Sequence, residues 1–305
     1  MKSKIETIFI FLFLLFFTLI TIYPVLNILA VSIRTDNAFQ TQSLSLIQEA
    51  EEFVDLNKNN KWDTKEPFVD LNNNGMWDAG SSIKSYISLF TKTDFLIWAR
   101  NSIFISFLVT LTGVLFASTG GYALSRFKFK GRDFGMIALL TTQIFPATML
   151  LLPFFILLSY LGLINSYIGL IIIYSSTALP FCIWQMKGYY DTIPPSLEES
   201  ARLDGCTRFQ AFYKVILPLS RPALVITALF SFMASWSEYV VAAIILQDPK
   251  LYTLPLGLKS FQASLSTQWG LYAAGAVIVS IPVTILFISL SRFLVSGLTM
   301  GSVKE

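Results

Sequence analysis

Asp55, Asn57, Asn59, Lys61, Asp63 and Glu66 stand at positions 1, 3, 5, 7, 9 and 12 of one twelve-residue stretch. Fifteen residues later, Asp70, Asn72, Asn74, Met76 and Asp78 repeat the first five of those positions. The copies share a Phe-Val-Asp-Leu-Asn opening and a Trp-Asp close. Calcium takes six to eight oxygen ligands, which a loop can supply from side chains at positions 1, 3 and 5, a backbone carbonyl at 7, position 9, and a bidentate carboxylate at 12. The spacing therefore predicts calcium coordination, with Asn60 or Gly75 at the turn. Ser81 stands where the second copy should carry its closing acid, which makes that site the weaker one. The other reading is a pair of Asn-rich turns pinned by Phe and Trp packing.

Elsewhere the chain offers little for catalysis. It contains no His, which excludes His triads, His bases and His metal sites. Cys182 and Cys206 give no disulfide framework. There is no Gly-x-x-x-x-Gly-Lys-Ser/Thr phosphate loop, so ATP binding would have to come from another subunit. No catalytic residue is expected, and nothing points to nucleic acid.

Hydrophobic residues make up 54% of the 305 and charged residues only 13%, too few to solvate a globule of this size. A bilayer needs about 20 apolar residues per helix. Six spans are expected: 7–31, 101–125, two within the charge-free run 134–186 with a turn at 162–166, then 222–246 and 271–295. The first is too long for a signal-peptide core. Prolines 146, 153, 180 and 282 lie inside spans and predict kinks. The fold class is therefore an all-α integral membrane protein with an inserted loop after its first span. The expected organisation is 1–33 with the first span, 34–98 as an external loop carrying the repeats at 53–80, and 99–305 as the core.

Lys and Arg are retained on the cytoplasmic side of short loops. Arg126, Lys128, Lys130 and Arg132 follow the second span, and Lys187, Arg202, Arg208, Lys214 and Arg221 fill the connection before the fifth. The turn at 162–166 has none. Both termini and the 194–222 connection are thus expected in the cytoplasm. Glu238 is the only acid inside a predicted span, and an intramembrane charge is a functional candidate by default. It is expected to line a path or a polar seam, or to pair with a neighbouring helix. Trp236 and Tyr239 beside it, with Tyr174 and Trp184, have rings that suit sugar stacking as well as ordinary packing.

The 194–222 connection is polar and rich in helix signals. Ser196 with Glu199, and Thr207 with Gln210, have capping-box spacing. Gly205 between them suits a left-handed C-cap, and Pro218 and Pro222 are expected to stop the second helix and restart the chain. Two short helices hinged at a glycine form a docking element. The spacing of Glu199, Ser200, Ala201, Asp204, Gly205, Ile216, Leu217 and Pro218 resembles the EAA loop through which ABC-importer permeases contact their ATPase. The resemblance covers most of the chain outside the inserted loop. Tyr122-Ala-Leu-Ser-Arg-Phe127, Gln143-Ile-Phe-Pro146, Trp236-Ser-Glu-Tyr239 and the tail from Gly297 to Lys304 are similar to MalG-type permeases of carbohydrate importers. Ser200 and Cys206 replace alanines, and Ser237 an Asn, of the family pattern.

That resemblance implies a multi-pass protein of the bacterial inner membrane. It implies a path for a maltose- or maltodextrin-like sugar, a second homologous permease, two ABC ATPase subunits and an external solute-binding protein. No cofactor is implied in the transport core. The inserted repeats are similar to EF-hand-like and dockerin-like Asp-x-Asn-x-Asn-Gly calcium loops of extracellular modules. An amino-acid or peptide permease is the alternative within the class. An ion-coupled secondary transporter is the alternative outside it, disfavoured by the single isolated intramembrane acid.

Overall fold

The computed structural model describes residues 4–34, 50–59, 62–64, 66–70, 77, 80–262 and 267–300. In chain order its α-helices are α1 (Lys4–Ser32), α2 (Lys84–Lys92), α3 (Phe95–Arg126), α4 (Arg132–Thr141), α5 (Leu151–Tyr160), α6 (Tyr167–Thr192), α7 (Ser196–Leu203), α8 (Arg208–Ala211), α9 (Leu217–Leu219), α10 (Arg221–Trp236), α11 (Val240–Ile245), α12 (Leu254–Lys259) and α13 (Trp269–Met300). Among the described residues the only β pairing is two isolated bridges.

Among the described residues, four helices, α1, α3, α6 and α13, are long and apolar enough to cross a bilayer. Two bent pairs, Arg132–Ile144 with Thr148–Tyr160 and Arg208–Leu219 with Arg221–Trp236, bring the number to six if each is one span. The all-α, multi-pass class expected from the sequence is thus present. The first pair turns through 94°. Phe145, at φ −76° and ψ 123°, has the extended backbone that a following proline imposes, and Pro146 cannot donate to a helical ladder. The expected fifth span is α10 followed by α11, interrupted at Ser237, Glu238 and Tyr239.

The chain divides into two compact units, residues 1–96 with 258–281 and residues 97–257 with 282–305. In the first, the end of α1 is buried from Ala30 to Ser32, and the hydroxyls of Ser32 and Tyr86 share a 2.7 Å hydrogen bond. The preceding turns of α1 expose apolar side chains on every side, as expected of a helix that meets lipid.

In the second unit, small residues let α3 approach its neighbours. A Cβ on Gly121 would lie 2.8 Å from Met186 Cβ and 2.9 Å from Lys187 N, and one on Gly113 would collide with Ser231 Oγ. Close approach of this kind drives helix association where no hydrophobic effect operates between helices and lipid. The turn after α5 uses Gly162 and Asn165, both at positive φ (66° and 56°). Asn165 Oδ1 accepts from the backbone N–H groups of Gln247 (2.9 Å) and Asp248 (3.0 Å), which staples this turn to the end of α11. One buried cluster includes Ile105, Leu170, Tyr174, Val241 and Ile245, and a second includes Ala117, Tyr122, Met186, Tyr190, Phe212 and Ile216.

Candidate functional site

The 194–222 segment folds into the two-helix element expected, but its ends are built differently. Helix α7 is capped by Pro195, whose carbonyl accepts from Glu198 N (3.0 Å) and Glu199 N (3.1 Å). Ser196 is already helical, so the Ser196–Glu199 capping box does not form. The two prolines have set the turn first, and the Glu199 side chain is left exposed. The Thr207–Gln210 box does form: Thr207 N donates to Gln210 Oε1 (2.8 Å) and Gln210 N to Thr207 Oγ1 (3.2 Å). Between them Gly205 sits at φ +89°. Cys206 N donates to Ala201 O (3.0 Å) and Gly205 N to Arg202 O (3.1 Å), the paired bonds of a Schellman C-cap.

The second helix stops one residue past Pro218 and the chain restarts with Pro222 in the first turn of α10, as expected, but the approach to the stop is unusual. A π-helical turn, Phe212–Ile216, precedes Pro218, and the helix continues through α9 to Leu219. Such turns occur where the i→i−4 ladder is disturbed, here by the missing proline N–H. The break falls at buried Ser220, whose hydroxyl donates to Ile216 O (2.7 Å), and Pro222 opens α10.

This element has two faces. Ala201, Ala211, Phe212 and Ile216 are buried, and Phe212 and Ile216 pack into the cluster of Tyr122, Met186, Tyr190 and Ile193. Leu217 is half-buried. Glu199, Ser200, Asp204, Gly205 and Pro218 are exposed. So are five large apolar groups, Leu203 (89%), Phe209 (72%), Leu219 (48%), Tyr213 (45%) and Leu197 (42%). The eight motif residues therefore separate into an anchoring set and a presented set.

Sequence reasoning missed Glu198. Its carboxylate accepts from Arg126 Nε and, at 2.8 Å, from Tyr122 OH, while Arg126 Nη2 donates to Ile193 O (2.7 Å). Ser125 Oγ donates to Asp191 Oδ1 (2.6 Å), and Asp191 pairs with Lys187 at 2.6 Å. These bonds join the ends of α3 and α6 to α7. The only clue in the sequence was two adjacent acids, of which the motif claims one.

Glu238 lies at the break between α10 and α11. Its Oε1 accepts from Val241 N (2.9 Å) and its Oε2 from Ala242 N (3.2 Å) and Tyr174 OH (2.7 Å). The carboxylate thus caps α11, satisfying orphan N–H groups at a helix start where negative charge is favoured. Trp236 is 2% exposed and stacked on Phe232 at 5.2 Å, so its ring has no open face for a sugar. Tyr239 is half-buried against the Tyr174 cluster.

In the inserted repeats, Asp55, Asn57, Asn59 and Asp63 converge. Asn57 Nδ2 and Asn59 Nδ2 donate to Asp63 Oδ2 (2.5 and 2.9 Å), and Asn59 N donates to Asp55 Oδ1 (3.2 Å). Glu66, expected as the bidentate ligand at position 12, is buried and instead accepts from Leu56 N through Oε1 (2.8 Å) and from Asp63 N through Oε2 (3.0 Å), closing the loop on itself. Asp70 is described, whereas Lys61, Asn72, Asn74, Met76 and Asp78 lie outside the described residues. The copies meet at an antiparallel Phe53–Phe68 bridge and a Trp62–Trp77 stack at 5.5 Å. Glu51 precedes Phe53 by two residues, as Glu66 precedes Phe68, and both are buried (3% and 6%).

Fold and site together define a multi-pass helical membrane protein that presents a two-helix element, anchored on one face, between two of its apolar segments. The profile of the family described as "Binding-protein-dependent transport system inner membrane component" matches residues 101–299, and the chain belongs to that family. It is 31% identical to the maltodextrin transport system permease protein MdxG of Bacillus subtilis, over 100% of this chain and 97% of the relative. It is 33% identical to the maltose/maltodextrin transport system permease protein MalG of Escherichia coli, over 99% of this chain and 98% of the relative. A chain of a bacterial ABC transporter involved in the import of the acidic polysaccharide alginate has the same fold, with a TM-score of 0.73 at 24% identity, over 96% of this chain and 98% of that one.

Proposed function

We propose that this chain is a permease subunit of a sugar importer. In this reading it forms the path with a second, homologous permease, receives sugar from an external binding protein, and is driven by ATP hydrolysis on separate subunits that dock on residues 194–222. The relatives named for maltodextrin and maltose, matched over nearly their whole length, support the sugar class. The docking role rests on one observation. Leu203 and Phe209 are held out on an element whose other face is buried. Exposed apolar side chains on a fixed scaffold are anchors for a partner.

The Lys/Arg asymmetry supports a cytoplasmic position for this element and for both termini. One experiment tests docking and sidedness together. In a Cys206→Ser background, Leu203→Cys should be labelled only from the ATPase side, and Leu203→Glu should lower ATPase co-purification about tenfold or more while the permease pair still assembles. Labelling from outside, or unchanged co-purification, would contradict the reading.

We also propose that calcium fills the first inserted loop. The convergence of Asp55, Asn57, Asn59 and Asp63 supports this, since rotating either amide turns its oxygen toward the same point. Millimolar calcium should then slow proteolysis within 53–66 of the assembled importer relative to chelator. Cleavage that ignores calcium would leave the packed-turn reading.

A further inference from the structure

The docking element carries two adjacent acids that do different things. Glu199 is exposed on the presented face. Glu198 is turned inward, where its side chain is 13% exposed and its partner Arg126 is 12% exposed. Both oxygens of Glu198 are used, one by Arg126 Nε and the other by Tyr122 OH. Tyr122 and Arg126 are one turn apart on the end of α3, so they face the same way. The guanidinium spans two elements besides its own, since Nη2 holds Ile193 O at the C-terminal end of α6 while Nε holds α7. An arginine fork fixes direction as well as distance, which a lysine would not.

The apolar contacts beneath α7 do not fix its direction as tightly as those beneath the second helix, where Phe212 and Ile216 are buried. Ala201 is the one buried residue of α7, and the hinge that joins it to the second helix is a glycine with open space beside its Cα. The rotation of α7 about its own axis is therefore set by the polar bonds at its start. We infer that Glu198 and Arg126, with Tyr122, are positioning residues for coupling: they aim α7 and hand its movement to α3 and α6. The inference rests on the docking role proposed for residues 194–222 and adds the route from that element into the membrane helices.

The test uses the complete importer, with both permeases, the ATPase subunits and binding protein, in proteoliposomes with maltotriose as the probe sugar. The readout is the ratio of ATP hydrolysed to sugar taken up. Glu198→Ala and Arg126→Ala should each raise that ratio about tenfold, with ATPase subunits still bound. Arg126→Lys should fall between wild type and Arg126→Ala. The exchange Arg126→Glu with Glu198→Arg should recover most of the lost coupling. A purely structural role would lower hydrolysis and uptake in proportion and leave the ratio unchanged. An unchanged ratio in both alanine variants would overturn the inference, and so would an exchange variant no better than the single ones. Leu203→Glu is measured in parallel. If it still binds the ATPase, the docking reading has failed; if it releases the ATPase while Glu198→Ala couples normally, only the present inference has failed.

Discussion

Gly205→Pro is expected to abolish sugar uptake while leaving the chain inserted in the membrane. Proline fixes φ near −65°, and Gly205 sits at φ +89°. The substitution also removes the N–H that Gly205 donates to Arg202 O at 3.1 Å. It further disfavours the φ −74°, ψ 8° backbone of Asp204, because the residue before a proline avoids that region. The Schellman cap would open, and α7 and α8 would no longer be presented at a fixed angle. Gly205→Ala is the graded control. Nothing lies within 4 Å of its Cβ, so its cost is the left-handed backbone alone, roughly 1–2 kcal/mol. Uptake by the Ala variant should fall only a few-fold. Sugar-stimulated ATP hydrolysis at the wild-type rate in Gly205→Pro would show that this hinge does not matter for coupling.

What could be read in the sequence was what local geometry decides. The Thr207–Gln210 box joins residues three positions apart, the positive φ of Gly205 is a property of one residue, and the 162–166 turn is marked by a glycine and an asparagine that accept left-handed backbone. The failures have physical reasons of the opposite kind. Ser196 has the right spacing for a cap, but Pro194 and Pro195 already turn the chain, so the helix starts one residue earlier in the competition for its N–H groups. Glu198 gains its meaning from Tyr122 and Arg126, 76 and 72 residues away, and no window along the chain contains all three. Pro218 marks the stop to within one residue, but the π turn at Phe212–Ile216 before it carries no signal in the residue types. The interruption at 237–239 left no mark of its own in an apolar run except Glu238, and an acid there reads as a path residue until the two half-helices are seen.

Glu238→Leu is the second substitution with a large expected effect. The carboxylate serves Val241 N, Ala242 N and Tyr174 OH, and Leu would leave all three without an acceptor. Each unsatisfied buried group costs about 1–3 kcal/mol, so the loss should reach several kcal/mol and lower both the thermal midpoint in detergent and the amount of assembled importer. Glu238→Gln keeps one acceptor oxygen and should lose less. Tyr174→Phe removes one bond and should cost about 1 kcal/mol, yet in a Glu238→Gln background it should cost clearly less, because contacts that share a partner are not additive. The capping role separates from a path role by comparing two readouts. If the carboxylate only caps α11, uptake per assembled importer in Glu238→Gln stays near wild type while the midpoint falls. If it also meets the sugar, uptake falls and the midpoint does not explain it. A Glu238→Leu importer with wild-type midpoint and uptake would refute the cap itself, since hydrocarbon cannot satisfy the two N–H groups at the start of α11.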